Sequence, residues 1–325
     1  MTTDASSPLV SVIISAYNGE SYIAECIQSV LAQTWPYREI IVVDDGSTDS
    51  TAEIAASFGP QVRLLRKPNG GPASAFNAGI PLARGELLAR LDCDDAFLPG
   101  KLARQVAYLQ RDPDVGLVFT GYHMVDAQGR LLRTEVIRPE VVAALSPLQF
   151  LKANHVNGST VLFRRSCLEG VGFFDESLIC HQDTDMWIRL IRQFRFGCLP
   201  EPLIRCRSHP LSLSHNRPLM LSQMRRLFRK VFRDPGKAEL FGLPPRGFIA
   251  RRRQLAQGQV ELARALRPGD FAPLAPGQFL AAFLAWPFSL ALYHALAEPY
   301  LPHRGYLLRV KALVARLKGV ARFGK

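Results

Sequence analysis

Short apolar runs alternate with helical patterns over the first hundred residues. A helical pattern through Ile23, Ile27 and Val30 follows the first run. The four runs are rich in β-branched or leucine side chains and cover Val10–Ile14, Ile40–Val43, Val62–Leu65 and Leu87–Leu91. Short buried strands that alternate with helices predict an α/β fold, with a mostly parallel sheet flanked by helices.

The pattern continues beyond Pro99 with an amphipathic helix on Leu102, Val106 and Leu109 and a strand at Val115–Tyr122. Further along, a strand is predicted over 157–165 and a helix from about Asp183. A basic amphipathic helix is predicted over Leu221–Arg233.

Acidic residues follow the second and fourth predicted strands. The fourth strand ends in Leu91-Asp92-Cys93-Asp94-Asp95, which places three carboxylates within four residues. These groups repel one another unless a cation is present, and hard carboxylate oxygens favour Mg²⁺ or Mn²⁺. Because Mg²⁺ usually binds through one or two carboxylates and substrate phosphates, the cluster predicts a metal-bound diphosphate. The alternative is a solvated acidic turn that caps the helix beginning near Pro99.

The positive charge of the chain lies in its last third. The 325 residues include 40 Lys and Arg against 28 Asp and Glu, and residues 201–325 carry 22 of the basic and 6 of the acidic side chains. Such an excess suits nucleic acid or an anionic membrane surface equally well.

The six cysteines show no C-x-x-C spacing, so we expect reduced and partly buried thiols of a cytoplasmic protein. The segment Met1–Pro8 has no apolar core, and no signal peptide is expected. The turn after the first strand, residues 15–20, lacks both the G-x-G-x-x-G of dinucleotide enzymes and a Lys- or Arg-containing phosphate loop. That absence disfavours a nucleotidyltransferase, which remains an alternative enzyme class.

Taken together, the motifs resemble the family two glycosyltransferases of GT-A fold. The resemblance covers roughly residues 8–215 and leaves 216–325 as a helical, basic extension. It rests on four stretches in this order, namely 10–18 (VSVIISAYN), 43–49 (VDDGSTD), 69–79 with its NGG and NAG, and 91–95 (LDCDD).

The resemblance implies a nucleotide-sugar site and a metal site. The residues implied for the nucleotide sugar are Ser15, Ala16, Tyr17, Asn18, Asp45, Asn77, Asp92 and Asp94. The residues implied for Mg²⁺ or Mn²⁺ are Asp94 and Asp95, with His209 of the R-x-H-x-x-S-x-S tail as a minor candidate. Structural alternatives are that Tyr17 closes its turn, that Asp45 caps the next helix and that His209 is a satisfied loop residue.

The family's general base corresponds to Asp183 in the stretch Gln182-Asp183-Thr184-Asp185, where Gln182 stands in place of the usual Glu. An ionised Asp is a plausible acceptor of a hydroxyl proton. The same residue is also suited to capping the helix that follows, and both roles are compatible.

Two stretches of the extension have unusual compositions. Residues 271–297 contain no Asp, Glu, Lys or Arg but several prolines, which favours an interfacial segment over a straight spanning helix. Residues 304–325 carry seven basic and no acidic side chains at the spacing of an amphipathic helix. Such a helix either lies on an anionic membrane or docks on the catalytic domain with a solvated basic face.

The sequence thus predicts a metal-dependent, inverting glycosyltransferase of bacterial cell-surface glycan synthesis. We expect a UDP-sugar donor, a glycan or lipid-linked acceptor and a cytoplasmic location, with the extension at the inner membrane. A basic nucleic-acid-binding protein is the remaining alternative, but no base-reading motif and few interleaved aromatic residues support it, so no nucleic-acid partner is expected.

Overall fold

The computed structural model describes residues 7–233 except 144, 153 and 211. Within this part of the chain, one mixed sheet is flanked by helices. Its strands are β1 (Val10–Ala16), β2 (Arg38–Asp44), β3 (Arg63–Arg66), β4 (Leu87–Asp92), β5 (Ala96–Phe97), β6 (Val115–Val125), β7 (Leu131–Glu135), β8 (Leu162–Arg164) and β9 (Arg195–Arg207). The helices are α1 (Ile23–Leu31), α2 (Thr51–Ser57), α3 (Pro72–Gly79), α4 (Lys101–Arg111), α5 (Pro139–Ala143), α6 (Pro147–Lys152), α7 (Cys167–Val171), α8 (Gln182–Ile191) and α9 (Arg217–Arg233).

The strand order is β3-β2-β1-β4-β8-β6-β9-β5, and β7 pairs with β6. The first four strands are parallel, as predicted, and their carboxyl ends therefore meet at one edge. The second half is mixed, because β8 runs antiparallel to β4 and β6, whereas β9 runs parallel to β6. This arrangement confirms the predicted α/β class.

Both faces of the parallel half are covered. All seven residues of β1 are buried, which explains why the strand reads as a continuous apolar run. On one face, Ile23, Ile27 and Val30 of α1 are fully buried in the core with Val12 and Ile14. On the other face, α3 approaches so closely that a Cβ on Gly79 would lie 2.5 Å from Ile13 Cγ2. Gly79 therefore sets the distance between α3 and the sheet.

Two parts of the second half differ from the prediction. The strand predicted over 157–165 shrinks to the three residues of β8, preceded by the 3-10 turn Gly158–Thr160. Glycine is favoured at the start of that turn, because a Cβ on Gly158 would lie 2.8 Å from Nη1 of the buried Arg90. Furthermore, the 13-residue strand β9 was not predicted. Its two prolines and four charged residues hide the period of a strand.

The predicted basic helix exists and begins earlier than expected, since α9 starts at Arg217. None of the helices in the described part of the chain combines the length and apolar character needed to cross a membrane. The predicted segments 271–297 and 304–325 lie outside the described residues, and the domain boundary at residue 215 stays a prediction. All six cysteines are free, and four of them are buried, as expected.

We expect Gly79→Ala to lower the free energy of unfolding by about 1–3 kcal/mol, because the added methyl overpacks α3 against Ile13. Urea denaturation followed by circular dichroism measures the change. Ala78→Ser, in the same helix but only half-buried, serves as the control and should shift stability by at most about 0.5 kcal/mol. A Gly79→Ala protein as stable as the wild type would contradict this account of the packing.

Candidate active site

The turn after β1 is tied to the turn after β2. The Asn18 amide donates to Ser47 Oγ at 2.9 Å, and the Thr48 amide donates to Asn18 Oδ1 at 2.9 Å. Asn18 holds a left-handed backbone with φ of 49°, which leaves Tyr17 at the tip of the turn and 51% exposed. Tyr17 is therefore exposed enough for an aromatic ring to pack on it, and its contact with a nucleoside base stays a prediction.

Ser15 and Ala16, at the end of β1, are both buried. The Ala16 carbonyl accepts a hydrogen bond from the Asp45 amide at 2.8 Å, and the predicted role of Ala16 in nucleotide-sugar binding stays a prediction. Ser15 Oγ, in contrast, is buried without a hydrogen-bond partner in the described part of the chain. A buried hydroxyl of this kind suits a ligand atom at the edge of the sheet.

Asp45 is buried and fully engaged. Its carboxylate accepts hydrogen bonds from Lys67 Nζ and the Gly71 amide, both at 2.7 Å, and from the Gly70 amide at 3.0 Å. Gly71 has φ of 87°, which favours glycine at that position. Asp45 thus fixes the Gly70–Gly71 turn rather than capping α2. Its predicted contact with a nucleotide stays a prediction.

The Asn77 side chain joins α3 to the loop after α7. Its amide nitrogen donates to the Phe174 carbonyl and to Glu176 Oε1, each at 2.9 Å, and its oxygen accepts from the Phe174 amide at 3.0 Å. Both ends of this buried amide are therefore used within the protein. Its role in nucleotide-sugar binding also stays a prediction.

Each carboxylate of the acidic turn has a different partner. Asp92, the most exposed at 37%, pairs with Arg90 Nη2 at 3.0 Å. Asp94 Oδ2 lies 3.0 Å from His209 Nε2. Asp95 is buried, and its Oδ1 accepts a hydrogen bond from the Arg207 amide at 2.9 Å. The structure thus brings together Asp94 and His209, two predicted metal ligands, whereas Asp95 faces β9.

The carboxylates of the acidic turn lie close enough to affect one another's ionisation. Burial, followed by the neighbouring charges of Asp94 and Asp92, raises the pKa of Asp95 well above its ordinary value. A divalent cation at this turn would offset the repulsion among the three carboxylates. This supports the cation reading of the cluster over that of a solvated turn.

Arg207 holds the acidic turn in place, and sequence reasoning gave it no role. Its Nε donates to the Asp94 carbonyl at 3.0 Å, and its Nη2 pairs with Glu25 of α1 at 2.6 Å. The same guanidinium lies 4.7 Å from the ring centre of Tyr22. The available signal was its position two residues before His209 in the R-x-H motif.

Sequence reasoning also gave Arg90 no role, because a single charged residue within an apolar strand forms no recognisable motif. It is buried on β4, and its Nε has no hydrogen-bond partner in the described part of the chain. Burial acts to lower the pKa of Arg90, but the carboxylates of Asp92, Asp183 and Asp95 raise it. Arg90 therefore interacts electrostatically with the acidic turn and with Asp183.

Asp183 lies in the first turn of α8, after His181 at the N-cap position. Its carboxylate accepts hydrogen bonds from Asn154 Nδ2 at 3.1 Å and from the Thr184 amide at 2.7 Å, both neutral groups. Asp185, in contrast, is buried between Arg189 at 2.9 Å and Lys230 at 2.7 Å. Asp183 thus accepts hydrogen bonds from neutral groups, whereas Asp185 is paired with two cations.

The donor set around Asp94 fits a divalent cation that also uses substrate oxygens. In residues 7–233, apart from the three gaps, no three His, Cys, Asp or Glu side chains are arranged as a complete metal site. An incomplete protein site is what Mg²⁺ and Mn²⁺ commonly use when phosphates supply further ligands. Among the described residues, Asp94 and His209 lie with Oδ2 and Nε2 3.0 Å apart and could supply two protein ligands.

Comparisons with known proteins bear on the family and the fold of this chain. Residues 11–172 match the model of glycosyl transferase family 2. An uncharacterized glycosyltransferase of Rickettsia typhi is 37% identical over 215 residues, which cover 64% of this chain and 67% of that protein. The chain spans only 34% and 65% of the lengths of two other rickettsial relatives.

Two solved structures share the fold. Staphylococcus aureus TarS 1–349, in complex with UDP-GlcNAc, has a TM-score of 0.61 at 18% identity and covers 89% of this chain and 81% of its own. The mannosyltransferase PcManGT of Pyrobaculum calidifontis, in complex with GDP-Man and Mn²⁺, has a TM-score of 0.55 at 22% identity. It covers 90% of this chain and 84% of its own. The fold is the predicted GT-A type, and the chain belongs to glycosyl transferase family 2.

Proposed function

We propose that the protein is a metal-dependent, inverting glycosyltransferase that moves a sugar from a nucleotide diphosphate to a hydroxyl group. The observation that carries this proposal is the contrast at the start of α8. Asp183 is held by neutral groups, whereas Asp185 is paired with Arg189 and Lys230. A carboxylate without a direct ion pair is the better proton acceptor, so Asp183 is the base.

In the proposed reaction, Asp183 takes the proton of the acceptor hydroxyl while the oxygen of that group attacks the anomeric carbon. The bond between that carbon and the diphosphate oxygen breaks, and its electron pair leaves with the diphosphate. Attack from the opposite face inverts the anomeric centre. Arg90, a buried cation, pairs with Asp92 at 3.0 Å and also interacts electrostatically with Asp183.

Asp94 and His209 would hold the divalent cation, which supplies positive charge for the departing diphosphate. Mn²⁺ in the PcManGT complex supports this choice of ion. Asp95, which faces β9, would keep the turn in shape, although it too was predicted as a ligand. Tyr17 would pack on the nucleoside base, with Ser15, Asn18, Asp45, Asn77 and Asp92 completing the donor site.

We propose a UDP-sugar as the donor, supported by UDP-GlcNAc in the TarS complex. The acceptor would be a glycan or a lipid-linked glycan of the bacterial surface. A basic extension suits such an acceptor, because anionic headgroups attract clustered Lys and Arg. The protein would then act at the cytoplasmic face of the inner membrane.

Asp183→Asn should lower kcat by about 10²–10⁴-fold, because the amide cannot accept the hydroxyl proton. The dissociation constant for the UDP-sugar should stay within about twofold of the wild-type value, because Asp183 makes no bond to the donor's nucleotide in this scheme. Release of UDP and isothermal titration calorimetry measure the two quantities.

Asp114→Asn is the matched control, since that side chain is 83% exposed and, among the described residues, pairs only with Arg195 at the surface. It should leave kcat unchanged. Turnover of Asp183→Asn at the wild-type rate would remove the base assignment, and pyrophosphate as the released product would favour a nucleotidyltransferase instead.

Asp94→Asn and His209→Gln should each raise the Mn²⁺ concentration for half-maximal activity by about tenfold or more, because each removes a ligand. Titration of UDP-sugar turnover with Mn²⁺ measures the shift. His123→Gln, which loses only a bond to Thr134, is the control for the imidazole. Wild-type titration curves for both Asp94→Asn and His209→Gln would speak against this metal site.

Replacing the seven basic residues of 304–325 by Gln should release the full-length protein from anionic liposomes. Co-sedimentation with phosphatidylglycerol vesicles measures binding, and phosphatidylcholine vesicles provide the uncharged control. If the variant sediments with anionic vesicles as the wild type does, the tail does not bind through its charge.

A further inference from the structure

Helix α9 packs against the segment that leads into Asp183. Gln223 Oε1 accepts a hydrogen bond from the Ile179 amide at 3.2 Å, and the Met220 carbonyl lies 3.2 Å from His181 Nε2. Leu227 of the same helix is fully buried. Helix α9 therefore contacts the His181 side chain and the Ile179 backbone, which lie two and four residues before Asp183.

Lys230, near the end of α9, joins the two flanks of Asp183. Its Nζ lies 2.6 Å from Asp175 Oδ2 and 2.7 Å from Asp185 Oδ1. Burial acts to raise the pKa of Asp175, but hydrogen bonds from Lys230 and Ser177 lower it to about 2, so this carboxylate is ionised at neutral pH. The Lys230 ammonium thus connects two carboxylates that lie ten positions apart in the sequence, and Asp183 lies between these positions.

The segment that α9 holds has an unfavourable backbone at one point. His181 adopts a left-handed conformation with φ of 62°, which is uncommon for a residue other than glycine. Such a conformation persists only where the surroundings enforce it. The contact of its imidazole with the Met220 carbonyl is one such restraint, and it lies two residues before Asp183.

Asp183 itself has no ion pair among the described residues to fix its orientation. Its bonds come from Asn154 and from the adjacent Thr184. The position of its carboxylate therefore depends on the backbone at the start of α8. Asp185, two residues later, anchors that backbone to Lys230.

We propose that Lys230 is a positioning residue, which by joining Asp175 to Asp185 fixes the start of α8 so that Asp183 is oriented for proton transfer. The inference rests on the proposed function, in which Asp183 is the base. Helix α9, which is basic in composition, would thereby contribute to turnover. A misplacement of the base by about 1 Å is enough to cost on the order of 10²-fold in rate.

The test compares variants of the full-length protein. Lys230→Met keeps the apolar stem and removes the ammonium, and we expect kcat to fall by about tenfold or more. The KM for the UDP-sugar should stay within about twofold, because Lys230 pairs with Asp175 and Asp185, neither of which is a proposed donor residue. Lys230→Arg should recover most of kcat, since a guanidinium can also bridge two carboxylates.

Arg226→Met is the control, since Arg226 lies on the same helix and is exposed. It should leave kcat and KM unchanged. Gln223→Ala provides a second probe that removes one hydrogen bond, and it should also lower kcat without changing KM, even if Lys230→Met folds poorly. Circular dichroism and thermal unfolding report on folding in each case.

Wild-type kcat in folded Lys230→Met and in Gln223→Ala would overturn the inference, as would a loss of UDP-sugar binding as large as the loss of kcat. Asp183→Asn distinguishes this failure from failure of the proposed function. If Asp183→Asn is inactive while Lys230→Met is fully active, only the positioning role is rejected. If Asp183→Asn is active, the base assignment fails, and the positioning role fails with it.

Discussion

Repulsion among the carboxylates at the edge of the sheet is the constraint on which the rest of the site depends. Two unit charges 4 Å apart near a protein surface repel by about 4 kcal/mol. The protein gives each carboxylate its own partner, namely Arg90 for Asp92, His209 for Asp94 and the β9 backbone for Asp95. Arg207 then links the turn to α1 through Glu25, so the geometry of the turn depends on groups more than a hundred residues away.

Local patterns were enough to predict the parallel half of the sheet. The runs beginning at Val10 and Leu87 each became a buried strand, because a strand covered on both faces needs apolar side chains throughout. The end of each strand then fixed where its polar residues lie. Asp45 and Asp92 lie at the same edge of the sheet for that reason, although the spacing of residues along the sequence does not identify their ligands. Their own protein partners depend on residues remote in the chain.

Long-range partners explain what the sequence could not predict. On α4, the periodicity correctly predicted that Leu102 would be buried, yet Lys101 and Gln105 are buried as well. The Lys101 ammonium donates to Gln105 Oε1 at 2.8 Å and lies 4.0 Å from the Phe97 ring centre. Burial lowers its pKa well below the ordinary value. The sequence does not show whether a lysine is buried or exposed, because that depends on its tertiary contacts.

The same reasoning applies to the acidic residues of α8. Sequence reasoning chose Asp183 over Asp185 by resemblance, since both are carboxylates in one helical turn. The structure supplies a physical reason for that choice, because a fixed cation stabilises the ionised form and makes a carboxylate a weaker proton acceptor. Asp185 is compensated by Arg189 and Lys230, and it suits an anchor. Asp183 accepts its hydrogen bonds from the neutral Asn154 side chain and Thr184 amide, and it has no direct ion pair among the described residues.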